Sequence, residues 1–313
     1  MSSREPVILG IDTSNYTTSA ARLENGEILN SKRLLPVKPG QLGLRQSDAV
    51  FHHVQQLPEI LEPVLQDAPS LRAVGVSDRP RAQDGSYMPC FTVGLGTAKV
   101  LAQAAGVPLY RFSHQAGHIA AALYSAKRLD WMEQRFLAFH VSGGTTEAVL
   151  VTPSREEILH AEIVASSLDL KGGQAVDRTG VLLGLPFPAG PELEKLALQW
   201  DAPIKVRPVM KGSDCCLSGI ENQCRKLFET GHPKEEIARY CLESIRAALE
   251  GMCSALLEEY GNLPVLFAGG VMSNSLIRSA LTQRFGASFA EPAFSADNAA
   301  GVAALAARRE GLL

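Results

Sequence analysis

Short β-rich runs and longer segments of helical period alternate along the chain. Residues 7–11, VILGI, form an apolar run that breaks into polar and turn-forming residues. A second strand is expected over 19–23, and Glu24-Asn25-Gly26-Glu27 reads as a hairpin turn into a third over 28–33. The segment HHVQQLPEILEPVLQ carries apolar residues at helical spacing, and residues 74–77 of LRAVGVSDRP read as a strand closed by a proline loop. A small-residue helix follows over 91–105, ended by Gly106 and Pro108. After a strand over 109–112, RFSHQAGHIAAAL opens another helix. From Arg135 onward, FLAFHVSGGTTEAVLVTP places two β-rich runs around SGGTT. A helix-rich region covers about 177–260, interrupted by GLPFPAGPELEK. The last unit reads as strand and glycine turn (PVLFAGGVMSN), helix (SLIRSALTQRFG), strand (ASFAEP), then a loop feeding a final helix (SADNAAGVAALAARR).

This alternation predicts a layered α/β architecture. The order of strand, small polar loop and strand occurs twice, in ILGIDTSNYTTSAARL and in FLAFHVSGGTTEAVLV, which suggests two similar lobes. A length of 313 residues fits two cores better than one.

Composition narrows the partners only slightly. Hydrophobic residues make up 46 % and charged ones 20 %, with a net charge of −3, the profile of an ordinary soluble globular protein. No basic field points to nucleic acid, although a local patch would be compatible with it. The six cysteines contain no CxxC pair, which argues against a zinc knuckle and a disulfide scaffold and for reduced thiols. The opening MSSREPVILGIDTS is neither a secretory apolar region nor a membrane span, so a cytoplasmic chain without membrane contact is expected.

Four turns carry candidate chemistry: DTSNYTTS at 12–19, SGGTT at 142–146, FAGGVMSN at 267–274 and the PAGPE turn at Gly190. Backbone amides at such strand ends suit phosphate oxygens, and glycine is equally common wherever a chain simply turns. The GxxxxGK[ST] pattern is absent, and VGLGTA is no dinucleotide signature. Asp12, at the end of the first strand, is placed either to meet a metal or metal-bound phosphate, magnesium included, or to cap its own loop. His114 and His118 stand four apart and share a helical face. They lack the HExxH glutamate, which removes the zincin protease reading. A metal site built on them needs an oxygen ligand, for which Asp297 in SADNAAG is the candidate; otherwise the histidines cap, hydrogen-bond or line a cleft. His52 and His53 are adjacent and point apart, and His140, His160 and His232 read as structural or loop residues.

The segments ILGIDTS, SHQAGHIAAAL, VSGGTTEAVLV, GQAVDRTGVLLGL, LSGI, LFAGGVMSN and ADNAAGVAALA occur in that order over residues 7–308. In this the chain resembles the TsaD/Kae1/Qri7 family, the tRNA N6-adenosine threonylcarbamoyltransferases once called O-sialoglycoprotein endopeptidases. The resemblance implies a two-lobed ASKHA fold, actin-like and ribonuclease-H-like, with an interlobe cleft. The first lobe would cover 1–134, completed by a helix over 297–310, and the second 135–296 with a helical insertion. The implied reaction moves a threonylcarbamoyl group from threonylcarbamoyl-adenylate to N6 of the tRNA adenosine beside the anticodon. By the same resemblance His114, His118 and Asp297 would hold one iron or zinc. Ser142, Gly143 and Gly144 would lie near phosphate and carbamoyl group, and Gly173, Asp177, Gly190 and Asn274 would surround the nucleoside. Asp12, Ser142 and Thr145 are the candidate catalytic residues, and the backbone donors around 142–145 would meet developing negative charge.

Departures from the family pattern are specific. The acidic TSCDET-like first loop is here Thr13-Ser14-Asn15-Tyr16-Thr17-Thr18, and the GPG-containing loop is Asp78-Arg79-Pro80-Arg81. Thr145 replaces a histidine, and Glu221 stands at a lysine position, a charge reversal expected to weaken RNA docking. The alternatives are a divergent paralogue transferring a carbamoyl-type group to another acceptor, a non-catalytic nucleotide-binding subunit working with a paralogue or an accessory ATPase, and a superfamily phosphotransferase using magnesium at Asp12.

Overall fold

The computed structural model describes residues 6–14, 16–37, 44–291, 294 and 298–313. The chain divides into two compact units. Unit 1 comprises Met1–Gln134, Thr152–Ala161 and Ala293–Leu313, and unit 2 comprises Arg135–Val151 and Glu162–Pro292.

In unit 1 the strands β1 (Val7–Ser14), β2 (Thr17–Glu24) and β3 (Glu27–Leu34) form an antiparallel meander. The β2–β3 turn uses Asn25 and Gly26 at φ 53° and 80°, the positive pair that a two-residue hairpin of matching twist requires. β1 runs through the polar Asp12, Thr13 and Ser14, past the apolar run, because these pair with Ser19, Thr18 and Thr17 and every residue of the strand is buried. After α1 (Gln46–Leu65) come β4 (Leu71–Arg79), α2 (Phe91–Ala105), β5 (Leu109–Ser113) and α3 (His114–Ser125), with β4 parallel to β1 and β5 parallel to β4. The sheet order is β3-β2-β1-β4-β5. On one face Leu9, Ile11, Val74 and Val76 bury against Leu57, Ile60 and Val64 of α1 and Ala98 and Ala102 of α2.

In unit 2, β6 (Phe136–Val141) pairs antiparallel with β7 (Thr146–Ser154), followed by β8 (Ile158–Ser166). An insertion holds α4 (Gly172–Leu183), α5 (Gly190–Ala197), the hairpin β9 (Val209–Lys211) and β10 (Asp214–Cys216), α6 (Ser218–Glu229) and α7 (Lys234–Tyr260). β11 (Val265–Ala268), α8 (Ser275–Phe285) and β12 (Ser288–Phe289) close the sheet in parallel, giving β12-β11-β6-β7-β8. Read from its other edge this repeats the strand order of unit 1. Its core stacks Phe139 on Phe267 and Phe267 on Phe289, at ring separations of 4.6 and 5.5 Å.

The last element, α9 (Ala299–Arg309), belongs to unit 1 and buries Ala299 to Ala307. It lies so close to β1 and α3 that glycine is required at the contacts. A Cβ on Gly10 would lie 2.2 Å from the Ala299 carbonyl, and one on Gly301 would lie 1.8 Å from the Gly117 carbonyl. Among the described residues, no helix is long and apolar enough to cross a membrane.

Candidate functional site

Two sets of candidate residues are brought together, one in each unit. In unit 1, Ser113 ends β5 and caps α3 by accepting from the Ala116 amide at 3.2 Å, while the Gln115 amide donates to the Pro80 carbonyl at 3.1 Å. These bonds fix the first turn of α3, which carries His114. Its Nδ1 lies 2.9 Å from Asp12 Oδ2, and Asp12 Oδ1 accepts from the Ser14 amide at 3.0 Å. Asp12 is wholly buried. Burial alone would push its carboxyl up, but the charge and hydrogen bond of His114, with the side chains of Ser77 and Ser14, hold it at about 2. Nδ1 therefore donates to a carboxylate, and Nε2 is the ring nitrogen turned away from Asp12. The His118 ring stands edge-on to it, at a centroid separation of 4.6 Å.

Asp297 lies outside the described residues. Among the described residues no group of three or more His, Cys, Asp or Glu side chains could hold a metal ion. What is present fits part of a metal site, namely two imidazoles one helical turn apart with one ring oriented by a buried carboxylate.

The end of β1 is held by neutral groups. The Thr13 hydroxyl donates to the Cys90 carbonyl at 2.9 Å and accepts from the Gly94 amide at 3.0 Å, tying β1 to the start of α2. His53, which sequence reasoning left without a role, is buried with Nε2 2.8 Å from the Ser14 carbonyl and Nδ1 2.8 Å from the Thr18 hydroxyl. Burial lowers its pKa; Nε2 faces the Ser14 carbonyl as donor, and the Thr18 hydroxyl beside Nδ1 donates to Gln56 Oε1 at 2.9 Å. A signal was available: His53 continues the buried stripe of Ala49, Leu57, Ile60 and Val64. In the stretch replacing the GPG loop, Asp78 pairs with Arg79 and Arg111, and Arg79 pairs in turn with Glu157.

In unit 2 a cavity of about 380 Å³ is lined by Ser142, Gly143, Gly173, Asp177, Gly190 and Asn274, with Val176, Leu242, Val271 and Glu194 among its other walls. Gly144 and Thr145 do not line it. Gly172 and Gly173, opening α4, donate to the Thr146 hydroxyl at 2.8 Å and the Ser142 carbonyl at 3.0 Å. A Cβ on Gly173 would meet the Gly143 amide nitrogen at 2.5 Å, so the loop and the helix start can approach only because that residue is glycine. Ser142 Oγ accepts from the amides of Gly144 and Thr145 at 3.3 and 3.1 Å. Those two donors are therefore already engaged inside the loop. Asp177 Oδ1 accepts from the Ala189 amide at 2.9 Å, tying α4 to the turn that carries Gly190. Asn274 Oδ1 caps α8 at the Ile277 amide, 3.1 Å away.

Glu194 was not singled out from the sequence. In ELEK it looks like any solvated helix carboxylate, yet it lines the cavity and accepts from the Ser275 amide at 2.7 Å. LSGI has a structural reason: Asp169 accepts from the amides of Leu217 and Ser218 at 2.7 and 3.2 Å and so clasps the start of α6. Glu221 is paired with Arg178 at 2.7 Å and Arg225 at 3.2 Å. The reversed charge is thus offset by two arginines and does not stand as a bare anion.

A family model described as TsaD: tRNA N6-adenosine threonylcarbamoyltransferase matches residues 30–304. The chain is 31 % identical over 320 residues to the tRNA N6-adenosine threonylcarbamoyltransferase of Geobacillus thermodenitrificans, covering 95 % of this chain and 90 % of that one. It is 30 % identical over 312 residues to the protein so named in Halalkalibacterium halodurans, covering 93 % and 85 %. Among solved structures, full-length HypF in its phosphate- and nucleotide-bound form matches with a TM-score of 0.61 at 12 % identity, covering 98 % of this chain and 47 % of that one. At that identity the likeness shows the fold alone: a two-lobed α/β fold related to the actin-like superfamily, with a sheet in each lobe.

Proposed function

The chain belongs to the TsaD family of tRNA N6-adenosine threonylcarbamoyltransferases and has an activity of that type, and from that premise we propose that the unit 2 cavity receives the adenosine part of threonylcarbamoyl-adenylate. The observation that carries this is convergence: Ser142, Gly143, Gly173, Asp177, Gly190 and Asn274, distant in sequence, line one cavity. Its volume suits a nucleoside, and Val176, Leu242 and Val271 offer apolar walls to a base. Asp177 and Glu194, each with one carboxylate oxygen held by a backbone amide, are acceptors suited to ribose hydroxyls.

In the proposed reaction the N6 amine of a tRNA adenosine attacks the carbamoyl carbon. The bond from that carbon to the phosphate oxygen breaks, AMP leaves, and N6 loses a proton. A metal held by His114 and His118, with Asp297 as the expected third ligand, would supply Lewis-acid polarisation of the carbamoyl oxygen; iron and zinc both suit such donors. Asp12 serves this site through His114, fixing the tautomer that presents Nε2. Its burial makes it a positioning residue in this reading and removes it from direct contact with phosphate.

Calorimetry with ATP, ADP and AMP tests the cavity: AMP is expected to bind, and no binding of any of the three would overturn the nucleotide reading. Purified chain supplied with threonylcarbamoyl-adenylate and unmodified tRNA, followed by mass spectrometry of the nucleoside, tests the acceptor. Turnover by the isolated chain is expected to be weak, because Tyr16 and Thr17 stand where the family carries acids. A paralogous subunit or an accessory ATPase would then restore it. Failure to modify tRNA with such partners present, while AMP still binds, would favour a different acceptor.

A further inference from the structure

Asn298 directly precedes α9, at the position where an asparagine side chain ordinarily accepts an amide of the first turn. Here it makes no such cap, although its carbonyl accepts from the Val302 amide at 2.8 Å. The side chain is turned instead toward His114: Nδ2 lies 3.4 Å from Nε2, and the residue is only 3 % exposed. Among the described residues its Oδ1 is buried without a hydrogen-bond partner. Buried amide oxygens are seldom left so, and this amide sits beside the imidazole nitrogen on the side of the ring away from Asp12.

We infer that Asn298 is itself a ligand of the ion at His114, through Oδ1. This rests on the metal reading proposed above and extends it to a residue outside the expected histidine–histidine–aspartate set. A half-turn of the amide exchanges Oδ1 and Nδ2, so Oδ1 takes the place now 3.4 Å from Nε2. Two donor atoms each about 2.1 Å from one ion and that far apart subtend about 108° at it, close to the tetrahedral angle. Without an ion, Nδ2 donates to the Nε2 lone pair. With one bound, the turned amide would offer Oδ1 beside Nε2 as a second donor. Asn298 adds a neutral oxygen donor without adding charge to a site that already has Asp12 buried behind it.

The test uses the full chain stripped with chelator and titrated with Co²⁺, read by its visible d–d bands, and with Zn²⁺ in competition. Asn298→Ala is expected to weaken Co²⁺ binding at least tenfold and to change the d–d bands, while metal-free thermal unfolding stays as in the wild type. Asn298→Asp, with an anionic oxygen in the same place, is expected to bind Co²⁺ more tightly than the wild type. An Asn298→Ala protein that binds Co²⁺ as tightly or more tightly, with unchanged bands, would overturn the inference and leave the histidine site standing, the amide then being only a hydrogen-bond partner of His114. Should the alanine variant not fold, Asn298→Asp alone decides, and weaker or unchanged Co²⁺ binding overturns the inference. A wild-type chain that takes up neither metal would remove the metal reading itself.

Discussion

Gly173 is the residue on which the unit 2 cavity depends most directly. Gly173→Ala pushes a methyl group against the backbone of Ser142 and Gly143, so at least tenfold weaker AMP binding is expected by calorimetry. Gly144→Ala, whose Cβ would meet nothing within 4 Å, is expected to leave it unchanged. Two buried groups of unit 1 contribute to the pH dependence of stability. The Asp12 carboxyl, held at about 2 against an ordinary 3.8, contributes about 2 kcal/mol that is fully present above about pH 4 and is lost as the pH falls toward 2. His53 acts in a higher window. Burial lowers its pKa, so below the ordinary histidine value of 6.5 the unfolded chain takes up the proton first and stability falls. Denaturant titrations at pH 7 and pH 5 should show that fall, and His53→Gln, whose amide donates to the Ser14 carbonyl without titrating, should reduce it, His140, lowered by burial in the same way, keeping the remainder. Ser142, Gly143, Gly190 and Asn274 were legible because each sits in a glycine or hydroxyl turn, whereas Gly173 and Asp177, inside α4, were named only by the family resemblance. Glu194 was not, since nothing in its neighbours separates a ligand-facing carboxylate from a solvated one.

Among the elements, the α3–α9 crossing has the least tolerance. Gly301→Ala would drive its methyl group into the Gly117 carbonyl, and a loss of about 3 kcal/mol or more is expected in thermal or denaturant unfolding. Gly96 in α2 is the opposite case: it is exposed, with nothing within 4 Å of a Cβ, and Gly96→Ala should stabilise by about 0.5–1 kcal/mol through helix propensity. Periodicity located the hairpin at Asn25-Gly26 and the helices over 91–105 and from His114. It stopped β1 at residue 11, because a fully buried strand can continue through Asp12, Thr13 and Ser14 where their side chains find partners. β8 and the β9–β10 hairpin carried no comparable pattern. β8 alternates buried and exposed positions irregularly, and the hairpin strands are three residues each.

For the whole molecule, the repeated strand-loop-strand order in the sequence corresponds to two sheets of the same connectivity, each with its own core. Ligand linkage should therefore be local. AMP at a hundredfold excess over its Kd is expected to stabilise unit 2 by about 2.7 kcal/mol, seen as slowed hydrogen exchange in α4 and α8 and little change in α9. Periodicity alone could not assign the last helix to unit 1, because alanine-rich helices look alike wherever they dock; the expectation that a helix over 297–310 completes the first lobe came from the family resemblance. α9 follows every other described element and yet packs on β1 and α3. At ordinary rates of translation, roughly 10–40 s separate the emergence of residue 134 from that of α9. Throughout that interval the nascent first unit presents an uncovered apolar face, which makes it a client for chaperones on the ribosome. A premature stop anywhere in the second half of the message would therefore release a first unit that cannot complete its fold, and cellular proteases would be expected to clear it.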